Sequence, residues 1–174
     1  MQYRLLLAAA LIAAGCHDSG DAATEPALRS AQFHLHPAAP APESRLPVDQ
    51  LLSVKRATAR YHDIEQARRD GYIDLGVVIP NMGRHFLRES LLDATFDLER
   101  PELLVYREGA NGAMNLVAVE YAVPRDLSDA APDGFRGDAD VWFDDPVFHL
   151  WTLHAWVWRE NPAGVFHPTN RMVP

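Results

Sequence analysis

Residues 148–164 constrain the fold more than any other stretch. They hold three of the four tryptophans, Trp151, Trp156 and Trp158, and two of the eight histidines, His149 and His154. With a period of two, Trp151, Leu153, Ala155 and Val157 fall on one face. Leu150, Thr152, His154, Trp156 and Trp158 fall on the other. Apolar residues on both faces predict a strand covered on two sides. Asn161-Pro162-Ala163-Gly164 supplies turn chemistry at its end. A histidine inside such a strand needs a partner or a ligand.

The rest of the chain supports one α+β domain over residues 48–174. Residues 49–70 carry Leu51, Val54, Thr58, Tyr61, Ile64 and Ala67 at three-to-four spacing. This predicts one long N-terminal amphipathic helix, capped by Asp49 and closed by Gly71. Residues 72–79 are β-branched and aromatic, and read as a strand or an extended arm. Pro80-Asn81-Met82-Gly83 is a turn that leads into Arg84-His85-Phe86. Residues 87–93 read as one or two helical turns. Residues 102–107 and 114–123 read as strands joined through Glu108-Gly109-Ala110-Asn111-Gly112, a hairpin. In the second of these, strict alternation puts Val117, Val119, Tyr121 and Val123 on one face. Leu116, Ala118, Glu120 and Ala122 share the other, which makes Glu120 an acid among small apolar neighbours. Residues 125–146, rich in aspartate, read as a long surface loop over one end of the sheet. The expected architecture is the long helix packed on a small, mostly antiparallel sheet.

The first 47 residues predict export and tethering. Arg4 precedes an unbroken apolar run over residues 5–14, too short to span a bilayer as a helix. Ala13-Ala14-Gly15-Cys16 then resembles the lipobox of bacterial lipoproteins. That resemblance implies that residues 1–15 are a signal peptide, that cleavage falls before Cys16, and that lipid on Cys16 holds the chain at a membrane. His17 after the cysteine, in place of aspartate, points to outer-membrane sorting if the cell is Gram-negative. Residues 16–47 are broken by Pro26, Pro37, Pro40, Pro42 and Pro47, and read as a flexible tether. His17, His34 and His36 in it read as solvated.

Cys16 is the only cysteine, and the net charge is −8. A lone cysteine excludes a disulfide framework and any multi-cysteine metal site. An acidic chain without a basic cluster excludes nucleic acid as a partner. There is no Gly-x-Ser-x-Gly elbow and no Gly-rich phosphate loop.

The order Met82-Gly-x-His85-Phe, Leu116-Val-Ala-Val-Glu120-Tyr, Leu153-His154-Ala-Trp-Val-Trp-x-x-Asn-Pro-x-Gly-x-Phe166 resembles a family of bacterial exported proteins and lipoproteins with no established biochemical activity. The resemblance covers residues 57–170. It implies a small α+β domain outside the cytoplasm, and brings no substrate, cofactor or catalytic residue. The family often carries an asparagine–proline pair near its end. Here Pro168-Thr169-Asn170-Arg171 departs from that pattern.

Three chemical readings stand for His85, Glu120 and His154. Two imidazoles and a carboxylate suit zinc, copper or iron in a site with open positions. The same residues could instead form a buried hydrogen-bonded network that only stabilises the fold of an envelope structural or interaction protein. An acid/base pair for metal-free catalysis is the third. The spacing itself carries no ligand motif. His149 and His167 are reserve ligands, with His149 on the opposite strand face from His154. Trp156 and Trp158 could line a small-molecule pocket beside His154, although aromatics at strand spacing more often supply core. Met82 is a possible soft ligand and otherwise packs.

Overall fold

The structure is a computed structural model and describes residues 46–174. The signal peptide, Cys16, His17, His34 and His36 lie outside the described residues. Two short helices, α1 (Val48–Thr58) and α2 (Ile64–Arg69), precede six strands. These are β1 (Ile73–Ile79), β2 (Gly83–Leu87), β3 (Leu103–Glu108), β4 (Met114–Pro124), β5 (Phe143–Asp145) and β6 (Leu150–Ala155). All neighbouring pairs are antiparallel, and the spatial order is β1-β2-β3-β4-β6-β5. The α+β class and the antiparallel sheet follow.

The single long helix does not. The chain leaves α1 at Thr58, whose hydroxyl donates back to the Val54 carbonyl at 2.7 Å, and makes a 3₁₀ turn over Ala59–His62. Asp63 is extended, and its side chain accepts from the Glu65 amide, starting α2. An aspartate that offers its carboxylate to the backbone two residues on competes with helix continuation and restarts it. The predicted cap at Asp49 is likewise displaced: α1 starts after Pro47, with Asp49 in its first turn. The predicted stop holds. Gly71, at φ +94°, closes α2 with the Tyr72 amide bonded to the Ala67 carbonyl and the Gly71 amide to that of Arg68. That pair of bonds is the Schellman arrangement.

The sheet has two unlike faces. One carries Phe86, Leu104, Tyr106, Val119, Tyr121 and Leu153, and forms the larger core with Val54, Tyr61 and Ala67 from the helical segment. Tyr106 donates to the Tyr61 carbonyl at 2.7 Å, tying the sheet to the 3₁₀ turn. The other face carries a small core of Val105, Ala118, Trp156 and Val173, and beside it the polar cluster described below.

Strict alternation in β4 fails at one place. Val105 pairs with Ala118 but Tyr106 pairs with Leu116, leaving Val117 as a bulge. The extra residue resets the parity, so Leu116 and Val119 both reach the larger core. The freed Val117 carbonyl accepts from the amides of Trp158 and Arg159.

The aspartate-rich loop is more structured than its composition suggests. It contributes edge strand β5 and a buried Phe135, which packs on Tyr121 and Phe166 with ring centroids 5.7 and 4.7 Å apart. Residues 87–93 hold only a 3₁₀ turn, Glu89–Leu91.

Candidate metal centre

Strand register assembles the cluster. Glu120 on β4 sits directly opposite His154 on β6. On its other side Glu120 faces Leu103 of β3, and His85 on β2 faces Val105 of β3. The acid therefore lies beside one histidine and one strand away from the other. All three side chains project from the face that holds the smaller core, because residues two apart in a strand share a face. Each is almost fully buried, at 5%, 6% and 2% exposure for His85, Glu120 and His154.

The two carboxylate oxygens are divided between the two rings. Oε2 lies 3.4 Å from His85 Nε2, and Oε1 lies 3.5 Å from His154 Nδ1. Neither separation matches a charge-assisted N–H···O bond, which runs about 2.7–2.9 Å. Two donors on a tetrahedral cation at about 2.1 Å from each are about 3.4 Å apart, so either separation suits a pair formed by one ring nitrogen and the one oxygen that Glu120 would give. The three donor atoms lie within 4.8 Å of one another. Donors on a tetrahedral cation are about 3.4 Å apart, so a pair at the 4.8 Å limit would have to draw in by about 1.4 Å.

Electrostatics point the same way. Burial holds His154 down to about 4. Burial also lowers His85, helped by the neighbouring His154 and opposed by the Glu120 charge and the Gly83 backbone. Burial raises the Glu120 carboxyl, opposed by His85 and by the Thr152 hydroxyl. Both rings are thus neutral near pH 7, and a neutral imidazole is the form that binds a metal.

The distal ring nitrogens, His85 Nδ1 and His154 Nε2, are buried without a hydrogen-bond partner. A network built only to stabilise the fold would satisfy them. The protein groups present do not supply the outer shell that commonly orients metal-bound histidine. Packing orients the rings instead. His154 stacks on Trp156 at 5.8 Å with planes 14° apart, and meets His85 edge-on at 5.8 Å.

His85 and Glu120 also form part of the wall of a cavity of about 320 Å³. Leu75, Val77 and Ile79 of β1 line it from one sheet edge, and Phe143 and Asp145 of β5 from the other. The sheet is therefore curled, with its two edge strands flanking one hollow. His154 is not among the lining residues. His85, Glu120 and His154 would hold a cation beside this cavity, and such a cation would acidify bound water and polarise carbonyls.

The other candidates fall elsewhere. Trp156 belongs to the smaller core, and its indole donates to the His167 carbonyl at 2.6 Å. Trp158 lies on the helical side, donating to Thr58 Oγ1 at 3.1 Å and meeting the His62 ring edge-on. The backbone leaves the sheet after Ala155, so strand parity no longer governs Trp158. Neither tryptophan lines the cavity. His149 and His167 are exposed, and His149 sits at φ +56° in the turn before β6. Met82 does line the cavity.

Sequence reasoning missed two features. One is the cavity wall, whose signal was the apolar run of β1: Leu75 and Val77 stay 45% and 53% exposed. The other is Glu102, buried at the start of β3, where it accepts from the Ala122 amide at 3.0 Å. Burial pushes its carboxyl up to about 8. Compared with family models, with curated proteins and with solved structures, the chain matches none.

Proposed function

We propose that this is a metal-binding protein of the bacterial cell envelope, anchored through lipid on Cys16, with His85, Glu120 and His154 holding a first-row divalent cation. The observation that carries the metal reading is the convergence of one carboxylate and two buried, neutral imidazoles, with one donor atom from each within 4.8 Å of the others. A ring-nitrogen lone pair facing a carboxyl oxygen is repulsive unless a proton or a cation lies between. The spacing suits the cation. Two histidines and one carboxylate suit zinc or iron(II), and copper with an added ligand. Three protein donors beside a cavity would leave a bound cation room for exchangeable ligands, as distinct from a closed structural centre.

The envelope placement rests on Arg4, the apolar run after it and Gly15-Cys16. Among the described residues no helix is long and apolar enough to cross a membrane. Two experiments test the proposal. Calorimetric titration of the metal-stripped chain with zinc, copper and iron(II) should show one site tighter than micromolar for at least one metal, lost in His154→Ala and Glu120→Ala. No binding by any of the three leaves only the structural network. Metabolic labelling with a palmitate analogue should mark the chain and not Cys16→Ser; equal labelling of the two refutes the anchor.

A further inference from the structure

The cavity above the cluster has a composition that selects its occupant. Its walls are aliphatic and aromatic: Leu75, Val77, Ile79, Leu103, Phe143 and Phe148. Its polar groups are few, namely His85, Glu120 and Thr152, with Asp145 on β5. Among the described residues no lysine or arginine lines it. At about 320 Å³ it lies at the small end of cavities that hold whole small molecules. Apolar side chains remain uncovered at and around the two sheet edges: Val77 is 53% exposed, Phe143 50% and Phe148 64%. Uncovered apolar surface next to an apolar hollow costs free energy that an apolar guest would recover.

We propose that this cavity binds a medium-length amphiphile with a single uncharged, hydroxyl-type head. The apolar body lies between the walls from β1 and β5, and the head reaches His85 and Glu120. Charge decides the class of head. In the metal-free protein, two carboxyl groups with no lysine or arginine among the lining residues disfavour a carboxylate or phosphate head, whose burial would go unpaired. A hydroxyl can donate to the Glu120 carboxylate or accept from its protonated form, and it can also ligate a cation held there. The proposal rests on the metal reading only for the identity of the floor residues. The guest can be tested with and without metal.

The test uses the full chain carrying Cys16→Ser, stripped of metal and handled without detergent. It is titrated by calorimetry with 1-hexanol, 1-octanol and 1-decanol, and with decanoate, at pH 7.5. The expected result is one saturable site for the alcohols. Affinity should rise about fourfold per added methylene, the factor that follows from about 0.8 kcal/mol for each buried CH₂, until the cavity is filled. Decanoate should bind at least tenfold more weakly than decanol. Leu75→Ser and Phe148→Ser, at positions 45% and 64% exposed, should each weaken decanol severalfold. They should leave the circular dichroism spectrum and the zinc affinity unchanged. Non-saturable alcohol binding, or affinity that does not change with chain length, overturns the proposal. Decanoate binding as tightly as decanol overturns the assignment of the head. Should zinc bind while decanol does not, this inference alone fails. Should decanol bind while no metal does, the metal reading alone fails.

Discussion

Glu120→Gln separates a metal centre from a stabilising network, because the two readings assign the carboxylate opposite roles. The substitution keeps the shape of the side chain and removes its charge. In the metal reading the charge is needed only when a cation is present. Without metal, the wild-type protein carries a carboxyl that burial drives toward the neutral form, and an amide in its place can donate to a neighbouring ring. The metal-free melting midpoint of the variant at pH 7.5 should therefore equal or exceed that of the wild type. With zinc at a hundred times its dissociation constant, a ligand that binds only the folded state adds about 2.7 kcal/mol. On a domain of this size that raises the midpoint by about 10 °C. Losing the one anionic donor weakens binding by at least about a hundredfold, of the order seen even for outer-shell changes. At the same zinc concentration the stabilisation then falls to about 0.4 kcal/mol and the shift to under about 2 °C. Differential scanning fluorimetry with and without zinc reads both quantities. A variant that keeps the full metal-dependent shift would show that the ligands are other residues. A variant whose metal-free midpoint drops by several degrees would show that the carboxylate holds the fold by itself.

Three further predictions concern stability. Glu102 titrates near 4.5 when unfolded and near 8 when folded; its contribution is complete below 4.5 and is lost as pH rises through about 8. Glu102→Gln should therefore flatten the decline of denaturant midpoint between pH 5 and 8, and an unchanged slope would refute the assignment. His154 has the opposite sign, about 4 folded against 6.5 unfolded. Its contribution is present above 6.5 and lost as pH falls through 4, so His154→Phe should flatten the acid side of the metal-free stability profile. Gly83 sits at φ +99°, where an added Cβ would lie 2.6 Å from the Tyr106 carbonyl oxygen. Gly83→Ala should cost about 2–5 kcal/mol in chemical unfolding, from about 1–2 for the backbone conformation and about 1–3 for the close approach. A loss below 1 kcal/mol would mean that β2 shifts freely.

Much of the site was legible because strand parity is local. Glu120 and His154 each stand at an odd step within an otherwise apolar alternation, and the buried face they imply is the one they occupy. His85 was legible from the Met-Gly turn before it, since Gly83 at positive φ is what starts β2. The helical break was legible in principle. Asp63 followed by Ile64-Glu65 is a cap signal, but the apolar stripe runs unbroken through it, and the stripe outweighed the cap. The bulge at Val117 was not legible, since nothing in Leu116-Val117-Ala118 distinguishes an extra residue from a regular one.

The sequence by itself determined the hairpin strands over residues 102–107 and 114–123, the strand that carries His154, and that Glu120 and His154 lie among apolar neighbours. Those properties follow from hydrophobic period and turn chemistry within a few residues. Only the tertiary structure decided that β4 lies between β3 and β6, which brings Glu120 against His154 and within reach of His85. Only the curl of the sheet made a cavity of the space between β1 and β5. Pairing partners and sheet curvature are set by contacts between segments tens of residues apart, and no local pattern encodes which of several compatible edges will meet.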